Sequence, residues 1–279
     1  MTKTLRQAEW ERFAERHAAR TVPARGHCWR LFDTGERAGD AVVLLPGALG
    51  RGETAFSYVL ALEAAGLRVL SLDYPATART LADLADGLPA LLTARGVARA
   101  HAVGGSFGGL VGQAFADRHP ERVLSLALTD TSAPDLARAP LMRLLGALIG
   151  ALPAGATRAV VRRGIRAYLA GVPAPERGLW EGHFAERLSA LARPEFASRA
   201  RVWAEFDAAG GKPALWSGRV LVVTARDDRM LSPGAQERRL RARYPHAVFR
   251  TVESGGHAAS IAHPEEYIRH LTGFFADDD

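Results

Sequence analysis

The 279-residue sequence predicts an α/β protein, a doubly wound and mostly parallel sheet with a block of helices inserted in it. Three observations carry that prediction. Short runs such as Ala41–Leu45 and Val123–Thr129 are apolar at almost every position, as strands covered on both faces require. Helical patterns stand between these runs, giving a βαβαβ rhythm. The rhythm stops after Asp130 and returns at Arg219. The chain is therefore divided into a sheet body, residues 1–131 and 214–279, and a helical insertion, residues 132–213.

Taken in order, a charged amphipathic helix is expected over residues 5–19 and a first strand or hairpin over 26–32, ended by Asp33-Thr34-Gly35. Ala41–Leu45 is a fully apolar strand closed by Pro46-Gly47. Residues 56–65 form a helix with Gly66 as its terminator, and residues 67–72 a strand with Asp73-Tyr74-Pro75 at its exit. The helix over 80–95 has Thr80 as N-cap and Gly96 past its end, with Pro89 as a source of a kink. A central strand at 100–103 leads through a glycine-rich turn into a helix over 110–118, and Val123–Thr129 follows as a strand. The insertion holds helical patterns at 141–152, 157–169, 176–192 and 195–208. A strand at 219–224, a helix at Pro233–Arg243, a strand at 247–252 and a helix at 264–275 complete the body, and Asp277-Asp278-Asp279 reads as a frayed acidic tail.

Composition excludes several classes of function. The net charge of +6 suggests nucleic acid, but the basic residues are scattered among acids. The densest groups, Arg158, Arg162, Arg163, Arg166 and Arg238, Arg239, Arg241, Arg243, fall at helical spacing and read as solvated faces, so no nucleic-acid partner is expected. Cys28 is the only cysteine, which rules out an intrachain disulfide and a cysteine-rich metal site; within a strand it is expected to be a buried thiol. No run of about 18 apolar residues suggests a membrane span, and residues 1–20 lack the apolar centre of a secretory signal. A cytoplasmic protein is expected, with no metal and no cofactor.

The chemistry centres on Gly104-Gly105-Ser106-Phe107-Gly108, a G-x-S-x-G between a strand and a helix. A serine in so tight a turn projects its hydroxyl above the sheet and leaves the following N–H free for an anion. A nucleotide-binding turn would have the same glycine richness, but the G-x-G-x-x-G spacing and a Walker lysine are missing. A serine nucleophile needs a base, and the base an orienting carboxylate. His257 follows the last strand, and Asp227 and Asp228 follow the strand before it. All three positions then lie at the carboxyl edge of the sheet, where open α/β folds bind ligands, and in the order Ser, Asp, His. A lone histidine is ordinarily structural and a double aspartate ordinarily a turn; it is the coincidence of position that argues for chemistry. His101, His119, His246 and His263 lack clustered carboxylates and read as surface or core residues.

On these residues the sequence resembles the α/β-hydrolase superfamily. The resemblance covers most of residues 41–131 and 219–275 and rests on Leu45-Pro46-Gly47, Leu72-Asp73-Tyr74, Gly104 to Gly108, Ala225-Arg226-Asp227-Asp228 and Gly256-His257. Within the superfamily, Leu45-Pro46-Gly47 with Leu72-Asp73-Tyr74-Pro75 looks most like the maspardin branch. The resemblance implies an α/β-hydrolase fold whose helical insertion is a lid, with Ser106 as nucleophile and His257 as general base and then acid. Asp228 is implied as the orienting acid, because the family's acid commonly stands three residues after the small residue ending its strand, here Ala225. Asp227 would then face outward, towards Arg226 or Arg229. The implied oxyanion hole is the N–H of Phe107 with that of Ala48 and, behind it, Leu49. Pro46-Gly47 stands where the commoner pattern has histidine-glycine.

Arg51 offers a contact for an acidic substrate group, though an exposed arginine fits its position as well. Trp180, Phe184 and Trp203 are the candidate pocket aromatics of the lid, at a spacing that packing would also produce. The expected partner is a small-molecule substrate with an apolar or aromatic acyl group. Two functions follow: a serine hydrolase of a carboxylic ester, thioester, lactone or C–C bond, or a non-hydrolytic member of the fold acting as a binding protein or as a lyase or cyclase. An intact Ser-Asp-His set favours the first.

Overall fold

The computed structural model describes residues 3–36, 40–190, 193–210 and 214–276. Its eight strands are β1 (Arg20–Ala24), β2 (His27–Asp33), β3 (Ala41–Leu45), β4 (Arg68–Asp73), β5 (Ala100–Gly105), β6 (Val123–Thr129), β7 (Arg219–Ala225) and β8 (Val248–Val252). They form one sheet in the order β1-β2-β4-β3-β5-β6-β7-β8. The β1–β2 and β2–β4 pairs are antiparallel and every other pair is parallel. The helices of the body are α1 (Leu5–Arg16), α2 (Phe56–Ala64), α3 (Leu81–Ala94), α4 (Phe107–Arg118), α9 (Pro233–Arg243), α10 (Ala259–Ala262) and α11 (Pro264–Ala276). Between β6 and β7 stand α5 (Ala139–Ala151), α6 (Ala154–Tyr168), α7 (Ala174–Ala190) and α8 (Arg193–Ala208), with no strand among the described residues of that stretch.

Alternation along the strands builds two cores. Val43 and Leu45 face Leu84, Leu88, Leu110 and Phe115 of α3 and α4, together with Leu240 of α9. Val42 and Leu44 face Phe13, Val59 and Leu62 of α1 and α2, with Leu271 and Phe274 of α11. Side chains of period two on strands covered by helices on both faces leave no room for a polar position, which is why β3 is apolar throughout. The inserted helices divide in the same way. Val202 and Phe206 of α8 join the first core; Val161 and Ile165 of α6 and Trp180 and Phe184 of α7 join the second. Helix α5 packs against α8 and turns Leu141, Leu144 and Leu148 to solvent.

Thr80 caps α3 as expected, in a capping box with Asp83, and Gly96 takes a φ of +68° past its end. Two expectations at the amino-terminal end are corrected. Helix α1 stops at Arg16, and β1 follows it as half of a hairpin with β2. Cys28 is exposed: it shares a face of β2 with Arg30 and Phe32, of which only Phe32 is buried, while Trp29 and Leu31 face the other core. Residues 191 and 192, where the third inserted helical pattern ends, Pro213 at the end of the insertion, and the Asp277-Asp278-Asp279 tail lie outside the described residues. No helix among those described is long and apolar enough to cross a membrane.

The β2–α3 contact yields a test of packing against propensity. A Cβ on Gly87 of α3 would overlap the fully buried Trp29 indole, whereas a Cβ on Gly164 of α6 meets nothing within 4 Å. Helix propensity favours alanine at both positions by about 1 kcal/mol, but overpacking costs about 1–3 kcal/mol. Gly164→Ala is expected to raise the melting temperature and Gly87→Ala to lower it. A rise for both would mean that the Trp29 contact is soft.

Candidate active site

β5 ends at Gly105 and α4 begins at Phe107, so Ser106 alone turns the chain from strand to helix. It does so at φ 51° and ψ −118°, a conformation costly for any residue with a Cβ. The flanking glycines make the turn feasible: a Cβ on Gly104 would strike the Gly108 carbonyl, and one on Gly108 the Leu45 carbonyl. The Ser106 N–H donates to the Thr129 carbonyl at 2.9 Å, and the Ser106 carbonyl accepts from the Thr131 hydroxyl at 2.7 Å and the Gly109 N–H at 3.0 Å. The strained residue is thus held by β6 on one side and α4 on the other.

His257 sits in a short 3₁₀ turn after β8, reached through Gly255 and Gly256, both at positive φ. Its Nε2 lies 2.9 Å from Ser106 Oγ and its Nδ1 lies 2.7 Å from Asp228 Oδ2. Asp228 follows β7; its Oδ1 accepts from the N–H of Met230 at 2.8 Å and of Leu231 at 3.3 Å. A carboxylate can only accept, so Nδ1 carries the proton and the Nε2 lone pair faces the serine hydroxyl. The His257 and Asp228 side chains are 5% and 4% exposed, so little water competes for these bonds. Among the described residues Asp227 does not pair with an arginine. It accepts from the N–H groups of Gly255 and Gly256 at 3.3 and 2.9 Å, and so ties down the turn that carries His257, while Arg226 pairs with Glu253 instead.

The loop after β3 passes beside the serine. Gly47 approaches the Ser106 side chain, and the Gly50 N–H closes a turn on the Gly47 carbonyl at 3.0 Å. Ala48 and Leu49 are the central residues of that turn, whose own hydrogen bond uses neither of their N–H groups. Ala48 packs against the first core and Leu49 against the second. The Phe107 N–H is the first of α4 and has no partner within the helix by construction. The loop is anchored by Asp73 of the Leu72-Asp73-Tyr74 motif and by Arg30 and Glu53, which sequence reasoning did not single out. Asp73 accepts from the Gly52 N–H at 2.6 Å, and Arg30 bridges Asp73 and Glu53, each at 2.9 Å. Arg51 turns towards Glu53 at 3.3 Å and Glu186 at 3.8 Å, so its charge is matched by protein carboxylates.

Of the aromatics of the insertion, Trp180 stacks on Phe56 with centroids 5.3 Å apart, a packing contact within the second core. Phe184 packs edge-on against Tyr168 at 5.7 Å, and Tyr168 in turn stands 5.8 Å from His257. Trp203 packs on the first core with the Arg138 guanidinium 5.3 Å from its ring. Tyr168, which sequence spacing did not distinguish from its neighbours, is a ring in contact with the imidazole. Among the described residues, no group of three or more His, Cys, Asp or Glu side chains is placed to hold a metal ion.

The family model for the alpha/beta hydrolase fold matches residues 40–264. The chain belongs to that family. The putative carbamate hydrolase RutD of Caulobacter vibrioides (strain NA1000 / CB15N) is 30% identical to this hydrolase over 254 residues, spanning 86% of this chain and 92% of its own. Maspardin of Danio rerio is 35% identical over 111 residues, only 37% of this chain and 35% of that protein. Among solved structures, a hydrolase from Pseudomonas aeruginosa PA01 superposes with a TM-score of 0.76 at 22% identity, covering 92% of this chain and 97% of that one. The enol-lactonase from Burkholderia xenovorans LB400 does so with a TM-score of 0.72 at 20% identity, covering 92% and 100%. At such identities the structural likeness speaks for the fold.

This hydrolase also buries a second carboxyl beside the imidazole. Asp130, after β6, is 4% exposed and accepts from the Tyr267 hydroxyl at 2.8 and 3.0 Å and from the Ala225 N–H at 3.1 Å. Burial raises its pKa from 3.8 to about 7, with nearby Asp228 pushing the same way and His257, Tyr267 and the Ala225 N–H opposing. A folded pKa above the unfolded one stabilises the fold fully below about pH 4 and loses that contribution as pH rises through 7. Asp130→Asn has no such titration. Its melting temperature is expected to gain on that of the wild type between pH 5 and pH 8; a difference that stays flat or shrinks would show that Asp130 is charged throughout.

Proposed function

We propose that this hydrolase cleaves a small-molecule carboxylic ester, or a thioester, lactone, carbamate or C–C bond of related reactivity, through an intermediate formed on Ser106. The observation that carries the reading is the unbroken hydrogen-bonded line from Ser106 Oγ through His257 to the Asp228 carboxylate. The carbamate enters because the RutD relatives bear that name. Lactone and ester chemistry fit the same centre.

In this reading His257 Nε2 takes the Ser106 proton as Oγ adds to the substrate carbonyl carbon. Asp228 holds the imidazole in orientation and stabilises the imidazolium. The N–H groups of Phe107 and Ala48 receive the developing oxyanion, the kind of contact whose loss costs about 10²–10³ in rate. Collapse expels the leaving group, which takes the proton back from Nε2. Water then attacks the acyl-enzyme with His257 as base, returning the serine hydroxyl and releasing the acid. Residues 132–213 act as the lid over this centre, and the rings of Tyr168 and Phe184 with Leu49 give the acyl chain an apolar wall next to the imidazole. A cytoplasmic location fits a chain with one cysteine.

A fluorophosphonate probe is expected to add once per chain, at Ser106, and Ser106→Ala to abolish labelling without loss of fold. Pure, folded protein that stays unlabelled would count against the nucleophile. On any accepted p-nitrophenyl ester, Asp228→Asn is expected to lose turnover by a factor approaching 10⁴, as in serine proteases. Asp227→Asn, which keeps one acceptor for the turn of Gly255 and Gly256, should lose less than about tenfold. The reverse ranking would move the orienting role to Asp227.

A further inference from the structure

We infer that Arg199 forms an anion subsite of this active centre, one that takes a second, ionised carboxylate carried by the substrate. The inference deepens the proposed function and rests on Ser106 being its nucleophile.

Arg199 lies on α8 of the insertion and reaches the body of the fold at the nucleophile turn. Its guanidinium carbon stands 5.5 Å from the centroid of the Phe107 ring, the residue after Ser106, and 5.2 Å from that of Tyr74, the residue after β4. The two rings meet edge to face at 5.6 Å. A cation is therefore held where lid and sheet edge meet, beside the turn that projects the serine.

The site is short of acceptors. A guanidinium has five N–H donors. The Nη2 of Arg199 donates to Glu195 at 3.3 Å, but Nε and Nη1 are buried with no hydrogen-bond partner among the described residues, and the residue is 4% exposed. Among those residues Arg199 is the one arginine with two such buried nitrogens. The neighbouring Tyr74 hydroxyl is buried without a partner too. Buried donors left unpaired are costly, and the faces of two aromatic rings attract the charge without satisfying the N–H groups.

The site is also short of negative charge. Glu195 is the carboxylate that bears on Arg199, and it is shared with Arg187; the three side chains are 6%, 5% and 12% exposed in the order Glu195, Arg199, Arg187. Two cations, one buried and one half-buried, on one buried anion leave one positive charge uncompensated. Burial lowers the pKa of Arg199, but a guanidinium does not give up its proton near neutral pH. Elsewhere in the molecule such arginines are matched: Arg138 with Asp207, and Arg68 with Asp33 and the Arg95 carbonyl. A single-charged, planar acceptor would balance the charge and receive N–H and O–H donors together. A carboxylate has both properties, and a phosphate dianion would overshoot the charge. The substrate class that follows is a half-ester, or a lactone bearing a free acid group, with an apolar chain between its reacting carbonyl and its carboxylate.

The test compares p-nitrophenyl hemiglutarate with p-nitrophenyl pentanoate, an uncharged ester of equal acyl length. The wild type is expected to favour the hemiglutarate in kcat/KM by about tenfold or more, and Arg199→Gln to lose that ratio, as the loss of a charge-assisted hydrogen bond implies. A wild-type ratio near one, or a ratio that survives in folded Arg199→Gln, overturns the subsite. If Arg199→Gln fails to fold, the wild type alone decides: glutarate should slow fluorophosphonate labelling of Ser106 and glutaramide should not, and equal or absent protection overturns the inference. A chain that takes no label at all defeats the nucleophile instead. Glutarate binding is then read by calorimetry on the wild type, where heat with glutarate but not glutaramide supports the anion site and no heat overturns it.

Discussion

Everything at the candidate centre depends on one close approach, that of α4 to the end of β3. The sheet register sets Leu45 of β3 beside Gly104 of β5, and the helix that leaves β5 must start at once to pack on the sheet. Gly108 lies against the Leu45 and Pro46 carbonyls, and Gly104 against Gly108. With side chains at either position the helix would be pushed out and the turn opened. Ser106 then no longer needs its strained φ, an outlay of about 1–3 kcal/mol that the surrounding bonds offset. The same approach brings the loop of residues 46–50 beside the serine, so the candidate nucleophile and the candidate oxyanion donors are placed by a single packing event. The ion pairs of Arg30 with Asp73 and Glu53 then hold the far side of that loop.

How much of this was legible in the sequence follows from what each residue's surroundings impose. β3, β5, β6 and β7 are covered on both faces, so their apolar runs have one reading. β1 carries Pro23 and buries only two of its five positions, leaving no pattern to find. Ser106, His257 and Asp228 were legible because each sits at a strand exit in a fixed order, and the strand exits themselves were legible. Asp130 is also at a strand exit, but its partners Tyr267 and Ala225 come from elements far along the chain. Arg199 and Arg201 sit on one helix, the first buried and the second exposed. Helical spacing tells which residues share a face and not what covers it, and α8 has more than one covered face.

Asp130 and Asp228 pose a problem of like charges, since both act on the same imidazole. Two ionised carboxylates buried side by side would repel strongly in so dry a place. The resolution lies in the donors each receives. Asp228 has His257 Nδ1 and two backbone N–H groups. Asp130 has a tyrosine hydroxyl and one N–H, too little to offset its burial, and its pKa rises to about 7. The carboxyl that meets the imidazole is the better solvated of the two by protein dipoles, and the other holds its proton up to neutral pH. Asp130 then acts as a hydrogen-bonded prop between β7 and α11.

The insertion is fastened to the body in two different ways, and the difference bears on how the centre is covered. At the carboxyl end of α8, Asp207 takes two bonds from Arg138 and one from the Asp135 N–H, a closed and charge-neutral joint. On the other side, Gly171 lies against the backbone of Gly255, so the insertion touches the turn that carries His257. The first contact is saturated by hydrogen bonds and the second is a close packing of backbone. The contact of Arg199 with Tyr74 and Phe107 is neither saturated nor neutral. A group that supplied the missing acceptor would bind α8 and the turn of Ser106 at once. It would meet the donors of Arg199 and Tyr74 together and out of water, because α8 packs against that turn. Attachment of the insertion and recognition of an anion would then draw on the same interaction.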